Sequence, residues 1–214
     1  MTFSLKVALL SDTSFASGEG IAGQLDNDVE RDSRGLPTIG AKRLCGLLAD
    51  EGRELLDSLP DPHRASWQEV HQRVFGVAGS GLTGQGSAHI RTARLPAVVR
   101  RRLTSDPGLI AACTAVRRQT VIDPTTGSPK PRLLRATKVV VKGVWFVARV
   151  DLETPEKDEE RDRAWVATCA SLLRRGGLRR NRGRGKLACS LWMNQEDRTA
   201  EWRKPVVAVL RKGA

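Results

Sequence analysis

Apolar residues recur along the chain with two periods, one typical of strands and one typical of helices. Alternating or continuous apolar runs predict strands over residues 3–11, 87–95, 138–150, 187–192 and 205–210. The run at 138–150 is rich in valine and gives the strongest of these signals.

Helical spacing predicts two main helices and a shorter one. The first begins at Ala41, places six leucines on one face and ends before Pro60, because proline cannot continue a helix. A short helix follows at about 66–75. The second main helix begins in the acidic stretch 151–163, which contains seven Asp and Glu residues, and runs to about Leu173.

Residues 117–137 differ from their surroundings in having three prolines, a central turn, basic ends and few core-forming side chains. They predict a projecting β-hairpin. The predicted order of elements therefore gives an α+β fold, with a ferredoxin-like (RRM-like) βαββαβ core and the hairpin inserted between its middle strands. A length of 214 residues fits a single domain over residues 1–214.

The positive charge is concentrated in the second part of the chain. Residues 1–75 contain 8 Lys and Arg against 12 Asp and Glu, whereas residues 76–214 contain 28 against 12. An excess of 16 positive charges over one segment is larger than solubility requires. It indicates a polyanionic partner, for which nucleic acid is a better candidate than a membrane surface.

A glycine-rich loop at Arg174–Lys186 concentrates this charge, since seven Lys and Arg residues alternate with glycines there. Glycine lets a backbone approach a ligand closely, and each guanidinium can bind a phosphate through two hydrogen bonds. With 4% aromatic residues and no Tyr, the sequence lacks the base-stacking pattern of an RNA-recognition sheet. We therefore expect contacts to the RNA backbone, with strong salt dependence.

Several other sites are not expected. Residues 79–84 match the dinucleotide pattern G-x-G-x-x-G, but a predicted strand follows them where a helix is required, so they predict a mobile loop. The four cysteines lack a C-x-x-C pair, and no zinc-ligand spacing links them to the histidines. The residues concerned are Cys45, Cys113, Cys169, Cys189, His63, His71 and His89.

The compartment is predicted from what the chain lacks. No run approaches 18 apolar residues, and residues 1–10 have neither the basic start nor the cleavage site of a signal peptide. Scattered cysteines fit small core residues in a reducing compartment. We expect a cytoplasmic protein without membrane contact.

Several separated motifs, taken in their order along the chain, resemble the motifs of one superfamily. Residues 174–187 resemble the C-terminal glycine-rich signature of the RAMP superfamily, in which paired glycines precede Arg-Gly-x-Gly-Lys. Residues 35–46 (Gly-Leu-Pro-Thr-Ile-Gly-Ala-Lys-Arg-Leu-Cys-Gly) are similar to its Pro-x-Ile-Pro-Gly-Ser-Ser-Leu-Lys-Gly element, and Val74-Phe-Gly76 to its Leu-Phe-Gly motif. The hairpin at about 117–137 takes the place of the superfamily's thumb, so the resemblance implies one RAMP domain with a thumb insertion.

The sequence most resembles the repeating backbone subunit of type III CRISPR effector complexes. In that subgroup an Asp stands six residues before the Asp that precedes the Pro-x-Ile-Pro-Gly element, as Asp26 here stands before Asp32. The resemblance implies a metal-dependent endoribonuclease that cleaves target RNA. Asp26 would be the catalytic residue and would hold Mg²⁺ or another divalent cation, and Asp28, Glu30 and Asp32 would add negative charge.

The resemblance also implies a set of guide-RNA contacts. The predicted RNA-binding residues are Lys42, Arg43, Arg117, Arg118, Arg179, Arg180, Arg182, Gly183, Arg184, Gly185 and Lys186. Lys42 and Arg43 stand where the superfamily has serines, which predicts ionic contacts with the guide. The expected partners are guide RNA, target RNA, other copies of the chain and other CRISPR effector subunits, with Trp192 and Trp202 as candidate subunit contacts.

Three alternatives remain open. Asp26 alone also fits a solvated loop carboxylate in an Asx turn, and the chain would then be a non-catalytic structural RAMP subunit. A guide-processing endoribonuclease would use a histidine as general base, but no histidine lies in a basic or glycine-rich loop. The chain could also be an RNA-binding module outside the superfamily.

Overall fold

The computed structural model describes residues 1–22, 24–61, 63–77, 84–104, 106–128 and 135–212. Residues 79–83 of the predicted mobile loop and residues 129–134 of the predicted hairpin lie outside these ranges.

Groups of strands follow groups of helices through the described residues, giving the mixed α+β architecture that the sequence predicts. The strands are β1 (Thr2–Leu9), β2 (Thr38–Ile39), β3 (Ala88–Ile90), β4 (Ala93–Arg94), β5 (Thr114–Gln119), β6 (Arg135–Val140), β7 (Trp145–Leu152), β8 (Leu187–Met193) and β9 (Glu196–Asp197). The helices are α1 (Ala41–Ser58), α2 (His63–Phe75), α3 (Ala97–Thr104), α4 (Pro107–Ala112), α5 (Glu156–Leu172), α6 (Thr199–Trp202) and α7 (Lys204–Lys212).

The main sheet is antiparallel and has the order β2-β4-β7-β1-β8-β9, with β3 also paired to β7. Strand β1 lies at its centre, where Leu5 pairs with Ala148 of β7 and Leu191 of β8. All three side chains are fully buried. This order, with two long helices in the crossovers, is compatible with a ferredoxin-like fold.

Helices α1, α2 and α5 share one hydrophobic core with the buried side of this sheet. Leucines spaced three or four residues apart give α1 its buried face, as predicted. Trp165 of α5 is fully buried and stacks on Trp67 of α2, with ring centroids 5.5 Å apart. Asp162 of α5, also fully buried, accepts hydrogen bonds from the Arg73 guanidinium of α2 at 2.6–3.1 Å.

The two arms of the predicted hairpin, β5 and β6, pair with each other in a separate two-stranded sheet. The predicted continuous strand over 138–150 is therefore wrong, because its first residues belong to this hairpin and its last to β7. A turn separates the two strands, and within it Gly143 adopts φ +90° and donates its N–H to the Leu9 carbonyl at 2.9 Å.

The predicted strand over 205–210 is also wrong, since these residues form helix α7. Pro205 stands in the first helical turn, where its missing N–H costs nothing. Val206 is fully buried, and Val209 and Leu210 pack against the core three and four residues later, which is helical spacing.

Other differences are smaller. The predicted strand over 87–95 is divided into β3 and β4, and the short helices α3 and α4 were not predicted. None of the helices in the described ranges combines the length and the apolar character needed to cross a membrane. Cys169 is buried on α5, as expected of a core cysteine, and burial raises the pKa of its thiol.

Candidate nucleic-acid interface

The glycine-rich loop is held by backbone hydrogen bonds against the segment that follows β1. Leu178 N–H donates to the Ser14 carbonyl at 2.8 Å, and Gly185 N–H donates to the Asp12 carbonyl at 3.0 Å. A Cβ at Gly177 would lie 2.6 Å from the Ser14 carbonyl oxygen, at a φ of +81°. Glycine is therefore required there, because only glycine permits both this approach and this backbone conformation.

The predicted arginines of this loop differ in exposure. Arg180, Arg182, Gly183 and Lys186 are exposed, Arg179 and Arg184 are half-buried, and Gly185 is buried. Burial and the positive charges of Arg179 and Arg117 lower the pKa of Arg184, against the opposing effect of Asp12. Arginines this close together repel one another, and a bound phosphate would relieve that repulsion.

The hairpin β5–β6 contributes one more arginine to a cavity beside this loop. Arg135, at the first residue of β6, lines a cavity of about 560 Å³ together with Arg179 and Arg182 of the loop. Gln119 and Thr120 complete its polar wall. Three guanidinium groups around one depression make a site for a phosphate group.

The opposite face of the hairpin borders a second cavity, of about 720 Å³, which contains Asp26. Asp26 is exposed, and its Oδ2 accepts a hydrogen bond from the Ala136 N–H at 2.6 Å. Arg118 and Lys138 line the same cavity. The structure thus brings the predicted Asp26 and Arg118 together, and adds Lys138.

The acidic side chains close to Asp26 in sequence form hydrogen bonds with other groups and do not gather around its carboxylate. Asp28 accepts from its neighbour Val29 N–H at 2.7 Å, and Lys138 Nζ lies 3.9 Å from its other oxygen. Glu30 accepts from Gly40 N–H, at the start of α1. Asp32 accepts from Leu36 N–H in a turn. In the described part of the chain no three His, Cys, Asp or Glu side chains form a metal-binding group.

Lys42 and Arg43 lie apart from both cavities. Arg43 donates to the Ala16 carbonyl at 2.6 Å and thereby holds the loop that follows β1. Lys42 is exposed and lines a depression between α1 and β3, together with His89 and Arg91. The two residues therefore face different surroundings.

Asp12 joins the hairpin to the glycine-rich loop, and sequence reasoning did not find it. Its Oδ2 lies 2.7 Å from Nε and 2.6 Å from Nη2 of Arg117, and its Oδ1 accepts from Lys142 N–H at 3.1 Å. A lone Asp after a strand carries no signal in sequence. Arg135 and Lys138 were missed as well, because the end of the predicted hairpin and the start of the predicted strand over 138–150 were not recognised as one strand.

No protein-family model matches the sequence, and no curated protein matches it significantly. Solved structures do match. A chain of the Type III-B Cmr-beta, from its cryo-EM structure in the apo state, superposes with a TM-score of 0.64 at 12% identity. The superposition covers 92% of this chain and 99% of that chain.

This protein has the fold of the Cmr-beta chain. A chain from the cryo-EM structure of Type III-B Cmr-beta bound to cognate target RNA gives the same TM-score and identity, over 89% of this chain and 97% of its own. The predicted resemblance to type III CRISPR subunits is thus confirmed as a resemblance of fold. At 12% identity the comparison does not extend to individual residues.

Proposed function

We propose that this chain is an RNA-binding subunit of a type III CRISPR effector complex. The observation that carries this proposal is the placement of the glycine-rich loop beside the hairpin, with a basic cavity on each side of the hairpin. The Cmr-beta fold and the positive charge of residues 76–214 support it.

In this proposal guide RNA lies along the glycine-rich loop, and its phosphates occupy the cavity of Arg135, Arg179 and Arg182. The chain is a ferredoxin-like RAMP domain, and the β5–β6 hairpin is its thumb. Other copies of the chain and other effector subunits continue the path of the guide, and a target RNA pairs with it.

We propose further that Asp26 takes part in cleavage of the target RNA. Arg118 and Lys138 would bind the oxygens of the phosphate that the neighbouring 2′-hydroxyl attacks. Asp26 would orient that hydroxyl and accept its proton, while the P–O5′ bond breaks to give a 2′,3′-cyclic phosphate and the leaving 5′-oxygen takes a proton from water. The hydrogen bond from Ala136 N–H fixes one carboxylate oxygen, while the other accepts no hydrogen bond from the described residues.

A divalent cation fits beside Asp26 only if phosphate oxygens of the RNA supply its other ligands. One carboxylate together with phosphate oxygens is a set that Mg²⁺ accepts in phosphoryl-transfer enzymes. Asp26 would be the protein ligand. The bound ion would neutralise charge that develops on the phosphate.

The test is to measure target cleavage by Asp26→Asn in the assembled complex. The complex is obtained by co-expressing the gene of this chain with its neighbouring genes. The amide keeps an oxygen to accept from Ala136 N–H, so assembly and co-purified guide RNA should be unchanged. Target cleavage should fall by roughly 10²-fold or more, the usual contribution of a general base. Asp57→Asn, at an exposed carboxylate of α1 outside both cavities, is the matched control, and it should cleave normally.

A non-catalytic structural subunit is the second candidate, and the hydrogen bond between Asp26 and Ala136 favours it. In that case Asp26 simply holds the loop that follows β1 against the hairpin. Normal cleavage by Asp26→Asn, or no cleavage by the wild-type complex, would establish this candidate. Co-purified RNA without a shared repeat-derived end would contradict the CRISPR assignment itself.

A further inference from the structure

The main sheet presents a second face, opposite the helices, and this face carries two tryptophans. Alternate residues of β1 and β7 point away from the core. The register aligns them in rows across β7, β1 and β8. The rows are Trp145–Ala8–Ala188, Val147–Lys6–Ser190 and Arg149–Ser4–Trp192.

Lys6 lies between the two indole rings of this face. Its Nζ is 4.6 Å from the Trp145 ring centroid and 5.2 Å from that of Trp192. Trp192 Nε1 donates to Ser190 Oγ at 2.7 Å, which fixes the orientation of its ring. Cation–π attraction therefore holds the two rings and the ammonium group as one cluster, which we call the Trp–Lys cluster.

The exposure of these rings sets them apart from the other tryptophans. Trp145 is 37% exposed and Trp192 is half-buried. Trp67, Trp165 and Trp202 are at most 6% exposed and belong to the core. An exposed indole on the open face of a sheet offers a flat apolar surface to a ligand.

Both signs of charge lie around the cluster, with Asp151 and Asp197 in the rows farther from the glycine-rich loop. In the ranges that the structure describes, no carboxylate lies within ion-pair distance of Lys6. Arg149 and Arg94 are exposed on the same face, and Arg149 is bonded to Asp151 at 2.8 Å. Polar and charged residues separate the apolar ones, so the face is not a continuous hydrophobic patch of the kind that binds proteins.

The cluster also continues the surface of the glycine-rich loop. Lys186, the last residue of that loop, accepts a hydrogen bond from Leu10 N–H and leads directly into β8. The Trp145 row is thus the first row of the sheet below the loop. A strand of RNA held by the loop would therefore enter the sheet face at this row.

We infer that the open sheet face binds single-stranded RNA by stacking an unpaired base on Trp145, with Lys6 and Arg94 near its phosphates. Aromatic rings interleaved with cations on a sheet suit this ligand, because every base has a flat face and every nucleotide has a charge. The inference extends the proposed function, on which it rests only in taking RNA as the ligand.

Titration of the purified chain with a single-stranded oligouridylate of about 20 nucleotides tests this, with tryptophan fluorescence and anisotropy measured together. A base stacked on Trp145 should quench the emission. Trp145→Ala should weaken binding about fivefold or more and remove most of the quenching. The slope of affinity against salt should stay unchanged, because no charge is removed. Trp145→Phe should bind with intermediate affinity, since it keeps an aromatic face.

Trp202→Phe is the matched control, because it removes a buried indole, and its quenching should equal that of the wild type. If the wild-type chain binds the RNA without quenching, and Trp145→Ala binds it with the same affinity as the wild type, the sheet-face site is overturned. The proposed function stays intact in that case. Absence of RNA binding by the wild-type chain would overturn both.

Discussion

His71 shows how one side chain can link stability to pH. It is 7% exposed between α1, α2 and α5, and its Nδ1 accepts a hydrogen bond from Trp165 Nε1 at 3.2 Å. That bond requires a neutral imidazole. Burial, and then the positive charge of Arg53, lower the pKa of His71 below its ordinary value of 6.5.

Stability should therefore fall as the pH drops below about 6.5. In that range the unfolded chain takes up a proton at His71 that the folded chain does not, until the pH reaches the lowered pKa of the folded state. The free energy of unfolding, measured by urea denaturation from pH 8 to pH 5, should decrease by less than about 1.4 kcal/mol per pH unit from this group. His71→Gln keeps an acceptor for Trp165 and should have a flatter profile. An equal slope in that variant would mean that other groups cause the loss.

Single residues also show what the sequence could and could not predict. The acids from Asp26 to Asp32 lie close together in sequence, yet Glu30 and Asp32 bond to backbone N–H groups away from the Asp26 cavity. Their separation depends on the path of the chain, which spacing does not give. Arg43 was expected to contact RNA but donates to a carbonyl of its own chain. The catalytic role of Asp26 stays a prediction.

At the scale of elements, Asp12 connects the hairpin, the turn before β7 and the glycine-rich loop. The exposed fractions of the Arg117 and Asp12 side chains are 46% and 23%, so the ion pair contributes at most about 1 kcal/mol to stability. Its larger effect is on position. It fixes the base of the hairpin relative to the arginines of the loop.

Asp12→Ala should therefore weaken RNA binding several-fold with little change in melting temperature. Removal of a negative charge would by itself strengthen binding to RNA. A loss of affinity therefore comes from the changed position of the hairpin and not from the change in charge. Anisotropy with labelled single-stranded RNA measures it. Asp57→Ala removes an exposed carboxylate of α1 and serves as the control. Tighter binding by Asp12→Ala would show that Asp12 acts through its charge alone.

Elements with strong periodicity were predicted well, and those that depend on tertiary contacts were not. The leucine spacing of α1 and the alternation of β1 are local, and both elements were found. The division at Gly143 and the helical state of Val206–Leu210 were missed. Valine content favours a strand in both places, and packing decides otherwise. Trp145 and Trp192 are seen to lie on one face of the sheet only when the register of β7, β1 and β8 is known, and the sequence alone does not give that register.

At the scale of the whole molecule, part of the positive charge of residues 76–214 lies on surfaces that meet. The glycine-rich loop, the hairpin and the open sheet face all border the end of β1, where Asp12 lies. Trp202, at the other end of β1, packs against Phe3 with ring centroids 5.2 Å apart. The basic surface made by the loop and the hairpin therefore belongs to one end of the sheet, and the cations at α6 and α7 lie apart from it.

This distribution predicts which charges set the salt dependence of RNA binding. Changing Arg135, Arg179 and Arg182 together to Gln should remove three phosphate contacts, and each contributes about 0.7 to the slope of log affinity against log salt for single strands. The slope, measured by anisotropy over a range of salt concentrations, should become shallower by roughly 2.

The matched control changes Arg203, Lys204 and Arg211 to Gln, at exposed positions on or beside α6 and α7. It removes the same net charge, so a general electrostatic attraction would respond equally to both variants. A site made by the loop and the hairpin responds only to the first, because counterions are released where phosphates are in contact with cations. Equal slopes in the two variants would mean that the charge acts as a diffuse field, and the cavity of Arg135, Arg179 and Arg182 would then have no specific part in holding RNA.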